Sequence, residues 1–406
     1  MELINWFKEA KMSAKSLNSG KRVFLLGGKR TPFGKFGGSL KKITPVDLAV
    51  HASKALLEEL GLEPGKIDHV IFGNVAPSTT DTMYAGRHLA LKLGMPEETP
   101  GYVVNRLCGS GIQVILDAVR QIKLEESECV LAAGAENMSM MPHLVYGSRF
   151  GTRYGSLETV DMLLDTLTDK FTNTPMGITA ENLAKSHSIS REDVDLYSLK
   201  SHQKAIAARK YLAGEIAPIV EGRINCTEDE HVRDGATLEE MQKLNPSFEK
   251  DGTVTPATAS GIVDGASCVI VASEDFVKKN GLSPLAEIID GHVVGVDPTI
   301  MGIGPVPAIK KLLEKNNMSL SDIDLFEINE AFAAQVIACK KDLEIADDKL
   351  NIWGGAVAIG HPLAATGTRI TTTLARQLKE TKKSYGVASA CIGGGQGISI
   401  LLKAVE

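Results

Sequence analysis

Residues 110–123 read SGIQVILDAVRQIK, and residues 366–379 read TGTRITTTLARQLK. Both have helical spacing and close on matching RQIK and RQLK. They stand 256 positions apart, Arg120 against Arg376. The same displacement sets ALLEE (55–59) against KLLEK (311–315), KIDHVIF (66–72) against DIDLFEI (322–328), and VLAAGA (130–135) against GVASAC (386–391). One offset held over about eighty residues predicts two similar halves rather than coincident patterning.

Around these segments, short β-branched runs alternate with helical patterns. VFLLGG (23–28), DHVIFGNV (68–75) and CVLAAGA (129–135) read as strands, and ITPVDLAVHASKALLEEL (43–60) and GIQVILDAVRQIK (111–123) as helices. This rhythm predicts a buried, mixed or parallel sheet with helices on both faces. A less regular segment, roughly 141–252, separates the halves; within it 179–190 and 191–212 read as helical. After it, GASCVIVAS (265–273) reads as a strand completing the first half's sheet. The domain reading is therefore an extension over 1–21, a first half over 22–140 completed by 253–285, an insert over 141–252, and a second half over 286–406.

Composition narrows the function classes. The 406 residues are 43% hydrophobic and 23% charged, enough for a large core in two units. A net charge of −6 leaves no global basic footprint, so nucleic acid is not an expected partner. No apolar run approaches the ~18 residues of a spanning helix, so no membrane span is expected. The six cysteines are scattered, without a CxxC pair, which points to reduced thiols rather than a disulfide scaffold or a zinc site. Cys129 and Cys268 lie in apolar strands and read as core; Cys226 and Cys339 read as surface or helix-packing residues. Residues 1–20 hold Lys8, Lys11 and Lys15 beside Glu2 and Glu9 with no arginine, which reads as a loosely ordered extension rather than a cleaved targeting segment.

Open α/β sheets bind ligands at the loops after their strands. In the first half such a loop holds Cys108, before helix 111–123. The matching loop of the second half, GGAVAIGHPLAATG, holds His361. The last strand ends in Cys391, followed by IGGGQG, and IDLFEI runs into Asn329. If the halves pack about a pseudo-twofold axis, these loops meet, and a Cys–His–Cys–Asn cluster follows. A helix start and an imidazole both favour a Cys108 thiolate. Glycine backbone N–H groups can approach and hold an oxyanion. A second thiol suits proton exchange at a weakly acidic carbon. CGSG (108–111) is a poor dinucleotide fingerprint, because Val114 takes the place of the third glycine, and GGGQG (393–397) lacks the Lys-Ser/Thr of a P-loop.

NRLCGSG, GAENMS, NEAFA, GGAVAIGHP and CIGGGQG together resemble the signature blocks of the thiolases, in order from about residue 22 to 405. RTPFG (30–34), SFEKDGTVT (247–255) and MGIGPVPAI (301–309) look most like the mitochondrial, fatty-acid-degrading type. The resemblance implies the α/β thiolase fold: two duplicated βαβαβ-type halves in an α-β-α-β-α layered structure with a loop-rich insert. It implies an acyltransferase that cleaves 3-ketoacyl-CoA with CoA, or runs the reverse condensation, through an acylated Cys108. His361 would activate Cys108, and Cys391 would exchange protons with the acetyl α-carbon and the CoA thiol. Asn329, through a water, and His361 would form one oxyanion hole; the N–H groups of Cys108 and Gly393 would form another. Arg233 and Ser260 match CoA-contacting positions, and Leu167, Met176, Ala331 and Phe332 match the pantetheine and acyl tunnel. CoA and acyl-CoA thioesters are then the partners, CoA as substrate, with no metal or other cofactor. A homodimer or homotetramer is implied, as is a cytoplasmic setting in a bacterium or otherwise the mitochondrial matrix.

The sequence also departs from the family pattern. GHPLAATG replaces GHPxGxSG with Ala364, Ala365 and Thr366, Trp353 stands where a small or amide residue is usual, and Thr258 replaces an amide. Pro175 occupies the position where enzymes dedicated to acetoacetyl-CoA commonly have His, which favours a broader 3-ketoacyl-CoA range. A catalytically decayed binding protein is the rival, opposed by the intact Cys–His–Cys–Asn set.

Overall fold

The computed structural model describes residues 20–405, so the reading of the N-terminal extension lies, up to residue 19, outside the described residues. Nine strands form the path of the main sheet: β1 (Val23–Arg30), β2 (His69–Gly73), β3 (Gly101–Val104), β4 (Cys129–Asn137), β5 (Val263–Ser273), β6 (Ala286–Gly295), β7 (Leu325–Ile328), β8 (Tyr385–Ile392) and β9 (Gln396–Ala404). Their order is β7-β8-β9-β6-β1-β5-β4-β2-β3, with a short tenth strand, Gly34–Lys35, on β5. Among the described residues, the strands of the two half-sheets pair where Val23–Leu25 of β1 meets Ala286–Ile288 of β6.

The duplication extends to the hydrogen-bond register. In the parallel pair β2–β4, His69 faces Val130; in β7–β8, Leu325 faces Gly386, each partner displaced by 256. In the antiparallel pairs, Gly134 of β4 faces Ser267 and Ala390 of β8 faces Ile398. Even the irregularity repeats. A bulge lies between Leu25 and Gly27 where β1 pairs with β5, and another between Ile288 and Asp290 where β6 pairs with β9. A bulge adds one residue and local twist, and both half-sheets use it at the equivalent strand.

Seven helices position the layers and the site: α1 (Pro45–Leu60), α2 (Ser110–Lys123), α3 (Met176–Ser186), α4 (Arg191–Ala207), α5 (Pro305–Lys315), α6 (Ala333–Asp342) and α7 (Leu363–Thr381). α1 is set locally: the Thr44 side chain caps the Asp47 N–H, Pro45 opens the first turn, and Gly61 closes it at φ 59°. α2 and α7 pack on each other between the half-sheets. Strand alternation explains why both sheet faces are apolar. Phe24, Leu26, Ile270 and Ala272 join α1 on the outer side, whereas Val23, Leu25, Val269 and Val271 join α2 and α7 at the centre. In the second half, Val387 and Leu401 face α5, while Ala388, Ala390 and Ile400 face the centre. The result is an α-β-α-β-α stack. Among the described residues no helix is long and apolar enough to cross a membrane.

All six cysteines are free thiols. Cys129 and Cys268 are core residues as read, and Cys339 packs inside α6. The reading of Cys226 as a surface or helix-packing residue is corrected. It ends the short strand Ile224–Cys226 and is buried with the α1 core, because that hairpin lies over it.

Candidate active site

Cys108 sits in a tight turn between β3 and α2. Leu107 adopts φ 46°, a left-handed value uncommon for a branched side chain, so surrounding bonds must hold it. They come from both sides: Asn105 Oδ1 accepts the Leu107 N–H (2.9 Å), Ser110 Oγ accepts the Arg106 N–H (2.9 Å), and the Ser110 hydroxyl donates to Leu107 O (2.7 Å). Arg106 reaches across to Gln396 Oε1 of the other half at 2.9 Å. The glycines of CGSG matter for approach rather than for turning. Gly109 has ordinary helical angles, but a Cβ there would lie 2.5 Å from Ile392 Cδ1. A Cβ on Gly111 would lie 2.6 Å from the Gly367 nitrogen, at the α2–α7 crossing.

His361 precedes α7, after Gly360 at φ 102°, and its N–H donates to Gly261 O at 3.1 Å. Its Nδ1 lies 2.5 Å from Thr366 Oγ1, and the Thr366 hydroxyl donates to Pro362 O at 3.1 Å. Thr366 therefore accepts from Nδ1–H, which leaves the lone pair on Nε2. Asn329 Nδ2 lies 3.3 Å from that Nε2. Asn329 is carried there by β7, its N–H donating to Ser389 O of β8 at 2.9 Å. Cys391, at the end of β8, is buried with Met301 and Ala331, against Met176 and Phe332. The turn after it needs glycine: Gly394 and Gly395 have φ 78° and 79°, and a Cβ on Gly395 would meet Val296 O.

The electrostatics correct one expectation. Burial pushes the Cys108 thiol up to about 11, although the backbone N–H groups of Gly393 and of Cys108 itself act the other way. Part of Cys108 remains reachable from the surface, yet its neighbours Val75, Met138, Leu363 and Ala364 are apolar, and burial outweighs the helix start. His361 is pushed down to about 3, by burial first and then by the Arg369 cation. Burial, with the Cys108 thiol close by, holds Cys391 well above the usual thiol range. At neutral pH the resting site is thus two thiols beside a neutral imidazole.

The tunnel positions gather at the same place. Met176 opens α3, and its N–H donates to Leu167 O at 2.9 Å. Ser260 N–H donates to Ala331 O at 3.0 Å, and Ala259 pairs with Phe332. A cavity of about 300 Å³ opens beside Leu107 and Gly393, lined also by Val75, Asp165, Thr168 and Met176. Arg233 stands apart and exposed, its N–H on His202 Nδ1 at 3.2 Å. His231, two residues before it, contacts Ala358 O at 3.1 Å and so links this loop to the His361 segment.

The departures from the family pattern resolve into packing. Trp353 is buried and stacks on Tyr211, centroids 5.0 Å apart. The Thr258 hydroxyl accepts from Thr255 N–H (2.8 Å) and donates to Thr253 O (3.0 Å). Ala365 packs with Phe33 and Val263. Sequence reasoning assigned no role to Glu136, although it stands inside GAENMS. This buried carboxylate accepts from Val75 and Ala76 N–H (both 3.1 Å) and Ala364 N–H (3.3 Å), joining loops of both halves behind Cys108.

A cysteine faced by backbone N–H donors and close to a second thiol, with a histidine whose Nε2 lone pair lies beside Asn329, is the equipment of an acyl-transferring enzyme. Known proteins agree. The thiolase N-terminal domain matches residues 23–275, and the thiolase C-terminal domain matches 282–404. The chain is 49% identical over 388 residues to human "3-ketoacyl-CoA thiolase, mitochondrial", covering 94% of this chain and 98% of that one. It is 45% identical over 390 residues to a "probable acetyl-CoA acyltransferase" of Staphylococcus aureus (strain COL), again 94% and 98%. The crystal structure of human mitochondrial 3-ketoacyl-CoA thiolase in complex with CoA superposes at a TM-score of 0.93 with 48% identity, over 95% of this chain and 98% of that one. The Bacillus anthracis acetyl-CoA acetyltransferase gives 0.92 and 42%, over 95% and 99%. The chain belongs to the thiolase family of acyltransferases.

Proposed function

We propose that the protein cleaves 3-ketoacyl-CoA with CoA to acetyl-CoA and a shortened acyl-CoA, and catalyses the reverse condensation. The observation that supports this best is the Cys108 thiol on the Cys108 and Gly393 N–H groups with Cys391 close by, alongside the Asn329–His361 pair. His361 Nε2 takes the Cys108 proton as sulfur attacks the 3-keto carbon. The N–H groups of Cys108 and Gly393 hold the oxyanion that forms. The C2–C3 bond breaks, its electron pair going to C2 of an acetyl-CoA enolate whose oxygen lies at His361 and Asn329. Cys391 protonates C2, then recovers a proton from the CoA thiol. The CoA sulfur attacks the acyl group, and Cys108 leaves with the proton held by His361.

Burial of both thiols supports this order, because neither thiolate persists without substrate. CoA enters as substrate, along Ser260, Leu167, Met176, Ala331 and Phe332, with its nucleotide end toward the exposed Arg233; the chemistry needs no metal or other cofactor. The exposed Phe150 and Tyr154 of the insert support self-association to a homodimer or homotetramer.

Thiolysis rates across acetoacetyl-CoA and longer 3-ketoacyl-CoAs test the proposal. Turnover of several chain lengths is expected, abolished by Cys108→Ala. Cys391→Ala is expected to slow carbon–carbon cleavage while still allowing Cys108 to be acylated. Full thiolysis by Cys391→Ala removes its assigned role, and turnover of acetoacetyl-CoA alone returns the dedicated enzyme.

A further inference from the structure

Two buried carboxylates bracket Asn329, and neither reacts in the scheme above. Glu327 lies two residues before it and Glu330 one after, each 1% exposed. Both bond to the segment that carries His361, on opposite sides of that histidine. Glu330 takes the residues before His361: it accepts from Asn351 Nδ2 (2.9 Å) and Val357 N–H (3.1 Å). The Asn351 amide also brackets Ile328, both its bonds to that backbone being 2.9 Å. Tyr197 and Ser201 of α4 support Glu330 with hydroxyl bonds of 2.8 and 2.7 Å, and Ser201 Oγ accepts the Gly355 N–H (3.1 Å). Glu327 takes the residues after His361: Arg369 Nη1 lies 3.6 Å from Oε2, and Gln377 Nε2 donates to Oε1 at 2.8 Å. Arg369 is 1% exposed, and among the described residues its guanidinium makes no hydrogen bond, so Glu327 is its nearest anchor.

We infer that Glu327 and Glu330 are positioning residues, a two-point clamp whose contacts with Arg369, Gln377, Asn351 and Val357 set the 3.3 Å separation of Asn329 and His361. The geometry explains why both carboxylates are needed. Asn329 follows the end of β7 and His361 lies two residues before α7; the bonds to Ser389, Gly261 and Thr366 hold each locally, and the two carboxylates tie the two segments to each other. A single anchor lets the second segment pivot about it; anchors before and after His361 remove that freedom. An oxyanion site must hold its donors within about 0.5 Å, and a 1 Å displacement costs about 10²-fold in rate.

The proposal rests on the thiolase reading, and the test separates the two. Glu330→Gln keeps size and one acceptor oxygen; the double variant Glu327→Gln/Arg369→Gln removes the buried Arg369 cation together with the acidic group that faces it, so that neither is left without its partner. Thiolysis of acetoacetyl-CoA is expected to fall about tenfold to hundredfold in kcat, with KM within about twofold, in both. Arg369→Lys, which keeps a cation opposite Glu327, should recover much of the rate. A crystal structure of Glu330→Gln should show Asn329 and His361 beyond hydrogen-bond distance. Folded variants with parental kcat, or a loss carried by KM alone, overturn the clamp. If the double variant fails to accumulate, Glu330→Gln and Arg369→Lys decide by the same readouts. A parent without thiolysis would overturn the functional reading instead, and the crystallographic separation would still decide the clamp.

Discussion

At Cys108, burial and the backbone N–H donors pull in opposite directions, and burial wins. With the thiol near 11, on the order of one molecule in ten thousand carries a thiolate at neutral pH. In the mechanism we propose, Cys108 therefore loses its proton to His361 as it attacks. Nε2 is ready for this because Thr366 occupies Nδ1. Solution chemistry can check both points. Iodoacetamide should label Cys108 first, since the other five thiols are buried, and a CoA thioester should protect it. The sign of the shift fixes the pH dependence. The fold favours the neutral thiol, so the labelling rate should climb about tenfold per unit from pH 7 past pH 9, toward 11. A plateau below pH 9 would mean a preformed thiolate, and equal labelling of all six would remove Cys108 as the special thiol.

The crossing of α2 and α7 decides whether these loops meet at all. A Cβ on Gly111 would intrude on the Gly367 and Thr368 nitrogens, both at 2.6 Å, and one on Gly367 would reach the Ile112 nitrogen. Backbone has little room to give, so Gly111→Ala should destabilise by about 3 kcal/mol or more in urea unfolding. Gly65→Ala, where nothing lies within 4 Å, should stay within about 0.5 kcal/mol. Equal costs at the two sites would show that the crossing is not close-packed. The helices and strands here were legible because duplication doubles every signal: RQIK against RQLK fixed α2 and α7 together. Cys108, His361, Asn329 and Cys391 were legible as candidates because each sits near a strand end or helix start that the repeat predicts. Glu136, Glu327 and Glu330 were not given roles, since their work depends on partners up to 228 residues away. The Cys108 shift was read with the wrong sign, because a glycine turn before a helix shows the dipole and hides the apolar neighbours.

At the scale of the whole molecule, the repeat has not produced two independent units. Fifteen of the nineteen residues of α7 are buried, and those fifteen include five threonines and an arginine. A helix buried on every side needs neighbours on every side. Many of those neighbours belong to the first half: α7 packs on α2, β4 and β5 as well as on β7 and β8. Its polar groups also bond across, Thr368 to Ser267 O at 3.2 Å and Thr373 to Glu215 at 2.9 Å. Each half thus supplies one central helix that both sheets enclose. Residues 282–406 expressed alone should then expose one face of α7, bind a hydrophobic dye and lack near-ultraviolet circular dichroism. Adding residues 20–281 during refolding should restore both packing and thiolysis, since the site draws Cys108 from one segment and His361, Asn329 and Cys391 from the other. If residues 282–406 alone melted cooperatively near the temperature of the intact chain, the central layer would be dispensable for that half, and the two halves would be separate folding domains.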